Sequence, residues 1–500
     1  MKVYMDMKLN KLSLHEKIGQ LLMVGIPEES DQLIYHRMTL QKIASYILFK
    51  KNTPNAKATQ SLTKRLHHMA AEAGISPILI AIDQEYGRVT RIDQGVTRFP
   101  AAYGFGRINN PDITYDACKI AGQELSDLGL NVNFAPVADV NSNPDNPIIG
   151  TRSYGEDPEK VAIMVKHAIR GYKDAGILCS AKHFPGHGDV AIDSHLALPV
   201  SYKTLEELYL AELIPFMAAI SESVPIIMTA HIIFPKMDSK WPATLSPFFL
   251  TQLLRNDLKY EGVIISDDLE MKALNQFGPI TDLAVQMILA GCDMLIISEN
   301  LTHDVSVDNI YQALVKAVQK NIISESRLNQ SVERIFQLRK TIARKQVSSE
   351  MINHPTHVEI SIQMMREIFL ENPDSHHFPV PVDPDRLLIL TDVIEIRDIW
   401  PSLNNRILLV RNQSVETYQA LISGKDEIFI FLSNICYLDQ LEALQFSRHQ
   451  KIRFFSLNNP YIQSKIQLPL TSYINLYAEC LPLEIFDGLI FAKNNSKNQS

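Results

Sequence analysis

Cysteine is scarce in this 500-residue sequence, which contains five cysteines and no CxxC pair. Their number is odd and they are widely scattered, so they suggest neither a zinc site nor a disulfide framework. We interpret them as the reduced cysteines of a cytoplasmic protein. The five positions are Cys118, Cys179, Cys292, Cys436 and Cys480.

Long apolar runs and excess positive charge are also missing. No run of about 18 uncharged apolar residues occurs, so we expect no membrane-spanning helix. The first apolar stretch is interrupted by Lys17 and lacks a small-residue cleavage site. The sequence therefore gives no indication of secretion. The net charge of −8 and the pI near 6.0 disfavour a nucleic-acid partner.

Eight short apolar runs, most of them separated by segments of helical pattern, occupy the first 298 residues. They are apolar at nearly every position, as expected of parallel strands that are covered on both faces. Eight strands alternating with helices predict a barrel, although a doubly wound open sheet remains an alternative. The runs lie at 21–26, 44–49, 77–83, 131–139, 176–183, 224–231, 262–268 and 291–298.

Polar residues stand at the C-terminal ends of these runs, and their position favours the barrel. In a (β/α)8 barrel those ends converge on one mouth, where active sites are found. We therefore predict an N-terminal (β/α)8 TIM-like barrel with a candidate site at its mouth. The residues in question are Asp83, Asp139, Lys182, His183, His231 and Asp267.

The C-terminal third has a different pattern. After a charged helical stretch at 310–345, new apolar runs begin near residue 386 and are separated by helix-length segments, which predicts a small α/β layered domain. No GxGxxG turn follows the first of these runs, so a dinucleotide site is disfavoured. The predicted domains are a catalytic barrel at 1–345, a linker and helix at 346–385 and an α/β domain at 386–500.

The segment KHFPGHGDVAIDSHLALP, at 182–199, concentrates one lysine, three histidines and two aspartates after a predicted strand. Asp193 stands two positions before His195, close enough to orient its imidazole as a general acid/base. Loop histidines without a catalytic role are the plain alternative. A metal-dependent hydrolase is a rival, but Pro185 and the glycines break the helix that would align His183 with His187. We therefore expect no metal.

The segment GVIISDDLEM, at 262–271, ends an apolar strand with paired aspartates. Because adjacent side chains of a strand point to opposite faces, we expect only one of Asp267 and Asp268 to face the mouth. A carboxylate there suits attack on an anomeric carbon. The alternative is that Ser266 or one of the aspartates caps the following helix.

Together these motifs resemble glycoside hydrolase family 3, and specifically its β-N-acetylhexosaminidase branch. KHFPGHGD followed by DSH is similar to the catalytic loop of that branch, and SDDLEM is similar to its nucleophile segment. DQEYGRVTR resembles a DxEGGRV segment, except that Tyr86 stands at a glycine position. Either the backbone there takes a conformation open to tyrosine or the loop differs. NPIIGTRSYGEDP and FAPVADVN complete the likeness, which covers roughly residues 12–345.

The resemblance implies that Asp267 is the nucleophile and that His195, paired with Asp193, is the general acid/base. It also implies that four residues hold the sugar, namely Asp83, Arg152, Lys182 and His183. The expected activity is exo-hydrolysis of terminal β-linked N-acetylglucosamine, with retained configuration, no cofactor, and cell-wall muropeptides as natural substrates. Phosphorolysis within the same family is one alternative, and a sugar-binding protein built on an inactive glycosidase is a more distant one. Weaker candidates for the pocket lining are Arg107, His231 and Met271.

Overall fold

The computed structural model describes most of the chain up to residue 371 and mainly the strands beyond it. The described residues are 11–27, 31–190, 198–299, 306–342, 350–371, 387–391, 407–409, 419, 421–423, 425, 427–432, 441, 444, 450–456, 470 and 472–475.

Eight parallel strands close into a barrel in the order of the sequence, and the last strand pairs with the first. The closed barrel confirms the predicted fold class, and the open-sheet alternative is wrong. The strands are β1 (Leu22–Gly25), β2 (Ser45–Leu48), β3 (Leu79–Ile82), β4 (Val132–Asn133), β5 (Leu178–Phe184), β6 (Ile226–Thr229), β7 (Val263–Asp268) and β8 (Met294–Ile297).

The strands are buried because they carry apolar side chains on both faces, one toward the barrel interior and one toward the helices. Closure between β1 and β8 pairs Leu22 with Leu295 and Val24 with Ile297. The backbone at Gly25 lies very close to that of Ser298, because a Cβ on Gly25 would lie 1.6 Å from the carbonyl oxygen of Ser298. Any larger residue at this position would push the two strands apart.

The helices around the barrel begin at residues that cap them. Asn55, Asp157 and Ser324 each accept a hydrogen bond from a backbone N–H of the first helical turn. The helices are α1 (Leu14–Gln20), α2 (Asp31–His36), α3 (Ala56–Glu72), α4 (Ala102–Ile108), α5 (Pro111–Asp127), α6 (Pro158–Asp174), α7 (Leu205–Leu210), α8 (Leu213–Ser221), α9 (Ile280–Ala290), α10 (Val307–Gln319), α11 (Glu325–Lys340) and α12 (Pro355–Leu370).

Shorter elements complete the description. Two segments are π-helical, Arg37–Gln41 and Phe248–Asp257. Within the described ranges, 3₁₀ segments lie at Lys50–Asn52, Gly150–Arg152, Ala243–Leu245 and Lys272–Phe277. Among the described residues, no helix combines the length and the apolar composition needed to cross a membrane.

The chain divides into two compact units, and the barrel belongs to the first, which ends at His354. The second unit contains residues 355–500 together with 86–88 and 98–109. Its parallel sheet has the strand order β10-β9-β11-β12-β13. The strands are β9 (Leu387–Thr391), β10 (Ile407–Leu409), β11 (Glu427–Leu432), β12 (Lys451–Ser456) and β13 (Ser472–Asn475). The domain boundary at residue 345 stays a prediction.

Four of these five strands coincide with predicted apolar runs, but β13 was not predicted. It is an edge strand whose sequence, SYIN, mixes polar and apolar residues and so lacks the apolar run on which the prediction relied. Its core partners are more apolar, and the rings of Phe431 and Phe455 stack 4.3 Å apart between β11 and β12.

Tyr86 takes the left-handed backbone conformation, with φ of 67°, and Gly87 follows with φ of 60°. A residue with a Cβ costs roughly 1–2 kcal/mol in this region. The Tyr86 ring is buried and packs edge-on against Phe99, with ring centroids 5.2 Å apart. The backbone therefore has the form that favours glycine, and ring packing offsets its cost for tyrosine.

Candidate active site

A cavity of about 350 Å³ opens at the carboxyl ends of the barrel strands. This volume lies at the lower end of the range for small-molecule sites. Five of the predicted site residues line it, and they come from β3, β5, β7 and the 3₁₀ segment at 150–152. These residues are Asp83, Arg152, Lys182, His183 and Asp267.

Three cations and two carboxylates form a network along one wall of the cavity, and Arg91 joins it through Asp83 at 3.5 Å. Lys182 Nζ lies 2.8 Å from Asp83 Oδ1 and 2.6 Å from Glu85 Oε1. Arg152 donates through Nε and Nη2 to the two carboxylate oxygens of Glu85, at 2.8 and 2.9 Å. Because this bidentate pair is buried, it fixes the orientation of the guanidinium.

The pKa values of this network favour charged side chains. Burial by itself would raise the pKa of Glu85, but the charges of Arg152 and Lys182 hold it well below its usual range. Burial would likewise lower the pKa of Lys182, and the facing Asp83 and Glu85 instead raise it. Glu85 and Lys182 therefore stay ionised near neutral pH and present fixed charges to the cavity.

A second polar group surrounds the fully buried Asp139. Its Oδ2 lies 2.7 Å from His183 Nδ1, and its Oδ1 accepts hydrogen bonds from the backbone N–H groups of His183 and His187. With Nδ1 donating to Asp139, His183 Nε2 is an acceptor, and Arg152 Nη2 lies 3.4 Å from it. Asp139 thus orients the imidazole that lines the cavity.

His187 also lines the cavity, although it was considered only as a metal ligand from the sequence. Burial, followed by the neighbouring His183, lowers its pKa to about 4. A neutral imidazole is therefore present at this position near neutral pH. Within the described parts of the chain, no group of three or more His, Cys, Asp or Glu side chains is placed to hold a metal ion.

Asp267 and Asp268 both line the cavity, so the expectation that only one of them faces the mouth is wrong. The pairing register between β7 and β8 shifts between Ile265 and Asp268. Asp267 Oδ1 accepts a hydrogen bond from the Asp268 N–H at 2.8 Å. The capping alternative does not hold for the next helical segment, whose N-cap is Met271.

The Asp268 carboxylate joins two separate segments of the backbone. Its Oδ1 accepts from the N–H groups of Glu270 and Ser298, each at 3.2 Å, which ties β7 to the end of β8. Burial raises the pKa of Asp268 to about 7. His231 is also buried and lies 3.0 Å from the Asp268 carbonyl oxygen through Nε2.

The sequence did not predict some cavity residues and gave others only as weaker candidates. Glu85 and Arg91 line it, and both lie in the DQEYGRVTR segment, so that motif already carried the signal. Met271 lines it too, whereas Arg107 and His231 are not among the described lining residues. Asp193 and His195 lie outside the described residues.

Comparison with known proteins gives matches that cover the barrel and extend beyond it. The model of the glycosyl hydrolase family 3 N-terminal domain matches residues 13–338. Beta-hexosaminidase A of Pseudoalteromonas piscicida is 34% identical over 366 residues, which cover 68% of this chain and 60% of that protein. The chain therefore spans less than two thirds of that relative's length.

Two further proteins are similar. Beta-hexosaminidase of Idiomarina loihiensis is 36% identical over 265 residues, or 52% of this chain and 78% of that protein. The structure of a family 3 β-N-acetylglucosaminidase from a Paenibacillus species has a TM-score of 0.84 and 30% identity, covering 96% of this chain and 97% of the other. The chain belongs to glycosyl hydrolase family 3.

Proposed function

We propose that this chain is a retaining exo-β-N-acetylglucosaminidase that acts through a covalent glycosyl-enzyme. The observation that carries the proposal is the Asp267 carboxylate, which lines a small cavity opposite fixed cations and carboxylates. The relatives named beta-hexosaminidase and the similar β-N-acetylglucosaminidase structure support this substrate class.

Asp267 is the nucleophile in this proposal. It attacks the anomeric carbon while His195, oriented by Asp193, protonates the departing glycosidic oxygen. In the second half-reaction His195 takes a proton from water, which attacks the anomeric carbon and releases Asp267. Two inversions at the same carbon leave its configuration unchanged.

Four side chains hold the sugar. The Asp83 carboxylate can accept hydrogen bonds from two hydroxyls, while Lys182 and Arg152 donate. His183 offers Nε2 as an acceptor, because Asp139 occupies its Nδ1. Ion pairs to Glu85 hold both cations in place before substrate arrives, which lowers the cost of ordering them on binding.

The natural substrates in this proposal are cell-wall muropeptides, and the reaction takes place in the cytoplasm. Support for a reducing compartment comes from Cys118, Cys179 and Cys292, which are free and buried. All residues assigned a role here precede residue 345, so residues 1–345 constitute the catalytic domain of the proposal.

The test compares nitrophenyl β-N-acetylglucosaminide with nitrophenyl β-glucoside as substrates, in phosphate and in phosphate-free buffer. We expect the N-acetylglucosaminide to have the higher kcat/KM and to release β-N-acetylglucosamine first, as followed by proton NMR. Preference for the glucoside, or initial release of the α-anomer, would refute the proposal. Accumulation of sugar 1-phosphate in phosphate buffer would instead identify a phosphorylase.

A further inference from the structure

A second cavity lies at the opposite end of the barrel, where the strands begin. It has a volume of about 1010 Å³ and is bordered by the residues that precede β6 and start β7, by the π-helical segment at 248–257 and by α11. We call it the basal cavity and define it by Arg255, Asn256, Lys259, Gln330, Arg334 and Gln337.

Three arginines converge behind this cavity on one buried carboxylate, Asp293. Arg255 forms an ion pair with its Oδ2, while Arg327 and Arg334 approach its Oδ1 at 3.5 and 3.1 Å. Three cations against one anion leave two positive charges in excess. Burial lowers the pKa of Arg255 and Arg327, and the charge of Arg334 lowers it further, while Asp293 raises it.

The arginines differ in how completely their donors are used. Arg327 donates to Ile288 O, Cys292 O and Ser331 Oγ, so its role is structural. Arg255 is 90% buried along its side chain, and its Nε makes no hydrogen bond within the described part of the chain. Arg334 is 28% exposed and uses Nη1 for Asp293, which leaves the outer edge of its guanidinium toward the basal cavity.

The remaining wall suits an anion with a polar body. Lys259 adds an ammonium group, and Asn256, Gln330 and Gln337 add neutral donors. Glu261 and Glu333 also line the cavity and are exposed, as Lys259 is. With all of them counted, four cations and three carboxylates leave one positive charge in excess. This net positive charge attracts a phosphate group, which carries about −1.5 to −2 near neutral pH.

We propose that the basal cavity binds a small molecule that carries a phosphate group, held by Arg334 and Lys259. A guanidinium fork pairs with two phosphate oxygens, and an ammonium group adds a point charge. The volume leaves room for an organic portion beside the phosphate. This site lies at the end of the barrel away from the proposed catalytic residues, so the proposal does not depend on their function.

The test measures the thermal unfolding midpoint of the full chain during titration with inorganic phosphate and, separately, glucose 6-phosphate. Chloride at matched ionic strength is the reference. Because a ligand that binds only the folded state stabilises it, we expect a saturable rise in Tm. Arg334→Gln should weaken the apparent affinity about tenfold or more, because it removes charge-assisted hydrogen bonds. A lower dissociation constant for glucose 6-phosphate would identify an organic phosphate as the ligand class, and equal constants would identify inorganic phosphate.

The matched control is Arg65→Gln, which removes the same charge from an exposed side chain in α3. It should keep the phosphate affinity of the unaltered protein. Lys259→Gln, at an exposed residue that lines the cavity, provides the same test if Arg334→Gln does not fold. A Tm rise no larger than that in chloride, or one that neither cavity variant reduces, would overturn the proposal.

Discussion

The two ends of the barrel each contain a buried carboxylate that binds several cations, but their charge balance differs. At the mouth, Glu85 contacts Arg152 and Lys182, and Asp83 contacts Lys182 and Arg91, so three cations face two anions. At the opposite end, three arginines surround the single carboxylate of Asp293.

The backbone contacts of the two ends explain the difference. Arg255 donates to the carbonyl oxygens of Tyr260 and Gly262, and Arg327 donates to those of Ile288 and Cys292. These arginines tie together the loops that enter the strands, which is a stabilising role. The cations at the mouth mainly contact side chains, although Arg152 also donates to Ile148 O, and they face the cavity, as expected where a barrel carries its chemistry.

The largest expected effect is on catalysis at the mouth. Asp267→Ala removes the attacking carboxylate, so kcat/KM should fall by at least roughly 10⁴-fold for every leaving group. His195→Ala removes only the proton donor, worth about 10²–10⁴-fold, and nitrophenolate leaving groups should lose less than sugars. Kinetics on both substrate types check this, together with azide rescue of His195→Ala to a β-glycosyl azide. The same leaving-group dependence in both variants would contradict the assigned roles.

Two substitutions, one at each end of the barrel, test whether the two ends have separate roles. Asp293→Asn leaves three arginines without their anion and should lower the free energy of unfolding by about 3–5 kcal/mol, with kcat/KM per folded molecule unchanged. Glu85→Gln loosens Arg152 and Lys182 and should lower kcat/KM about 10²-fold, since small displacements of positioning groups are costly.

Urea unfolding and kinetics on both variants give the two measurements. Trp241 and Trp400 are the only tryptophans in the sequence, so fluorescence in a Trp400→Phe background follows the barrel through Trp241. If Asp293→Asn reduced kcat/KM as strongly as Glu85→Gln does, the two ends of the barrel would not have separate roles.

The smallest effect concerns pH. His187 has a pKa of about 4 in the folded protein, against 6.5 for an ordinary histidine. Between these values the unfolded chain binds the extra proton, so stability falls as the pH falls from 6.5 to 4, by about 3 kcal/mol at most. His187→Gln should lose less stability over this interval, as measured by urea unfolding at several pH values. An equal loss in both proteins would show that His187 does not titrate this way.

Asp268 acts in the opposite direction and makes the variant comparison necessary. Its pKa of about 7 lies above the ordinary value of 3.8, so the folded protein holds the proton between these values. Its contribution to stability is present below pH 3.8 and is lost as the pH rises toward 7. Only the difference between His187→Gln and the unaltered protein isolates the histidine.

Much of the barrel was predictable because the sequence patterns that indicate its strands are local. The apolar runs predicted β1 to β8, and the polar residues at their ends predicted four residues that line the mouth cavity. The resemblance of the motifs predicted the family, which the match over residues 13–338 shows. The assigned roles of Asp267, His195 and Asp193 stay predictions.

Other features depended on residues distant in sequence. Strand alternation predicted a single aspartate at the mouth, but Asp267 and Asp268 both line the cavity, where the register between β7 and β8 shifts. The glycine pattern left two conformations open at Tyr86, and packing against Phe99 accompanies the left-handed one. Neither outcome follows from periodicity, because each is determined by a neighbour outside the local segment.

The sequence by itself determined the barrel, its strand positions and the end at which chemistry-bearing residues collect, since hydrophobic periodicity and residue type act locally. Only the tertiary structure decided which charges neutralise one another. Lys182 meets Asp83 across 99 residues of chain, and Arg334 meets Asp293 across 41. Electrostatic energies depend on distance and burial in space, so these pairings could not be read from the order of the residues.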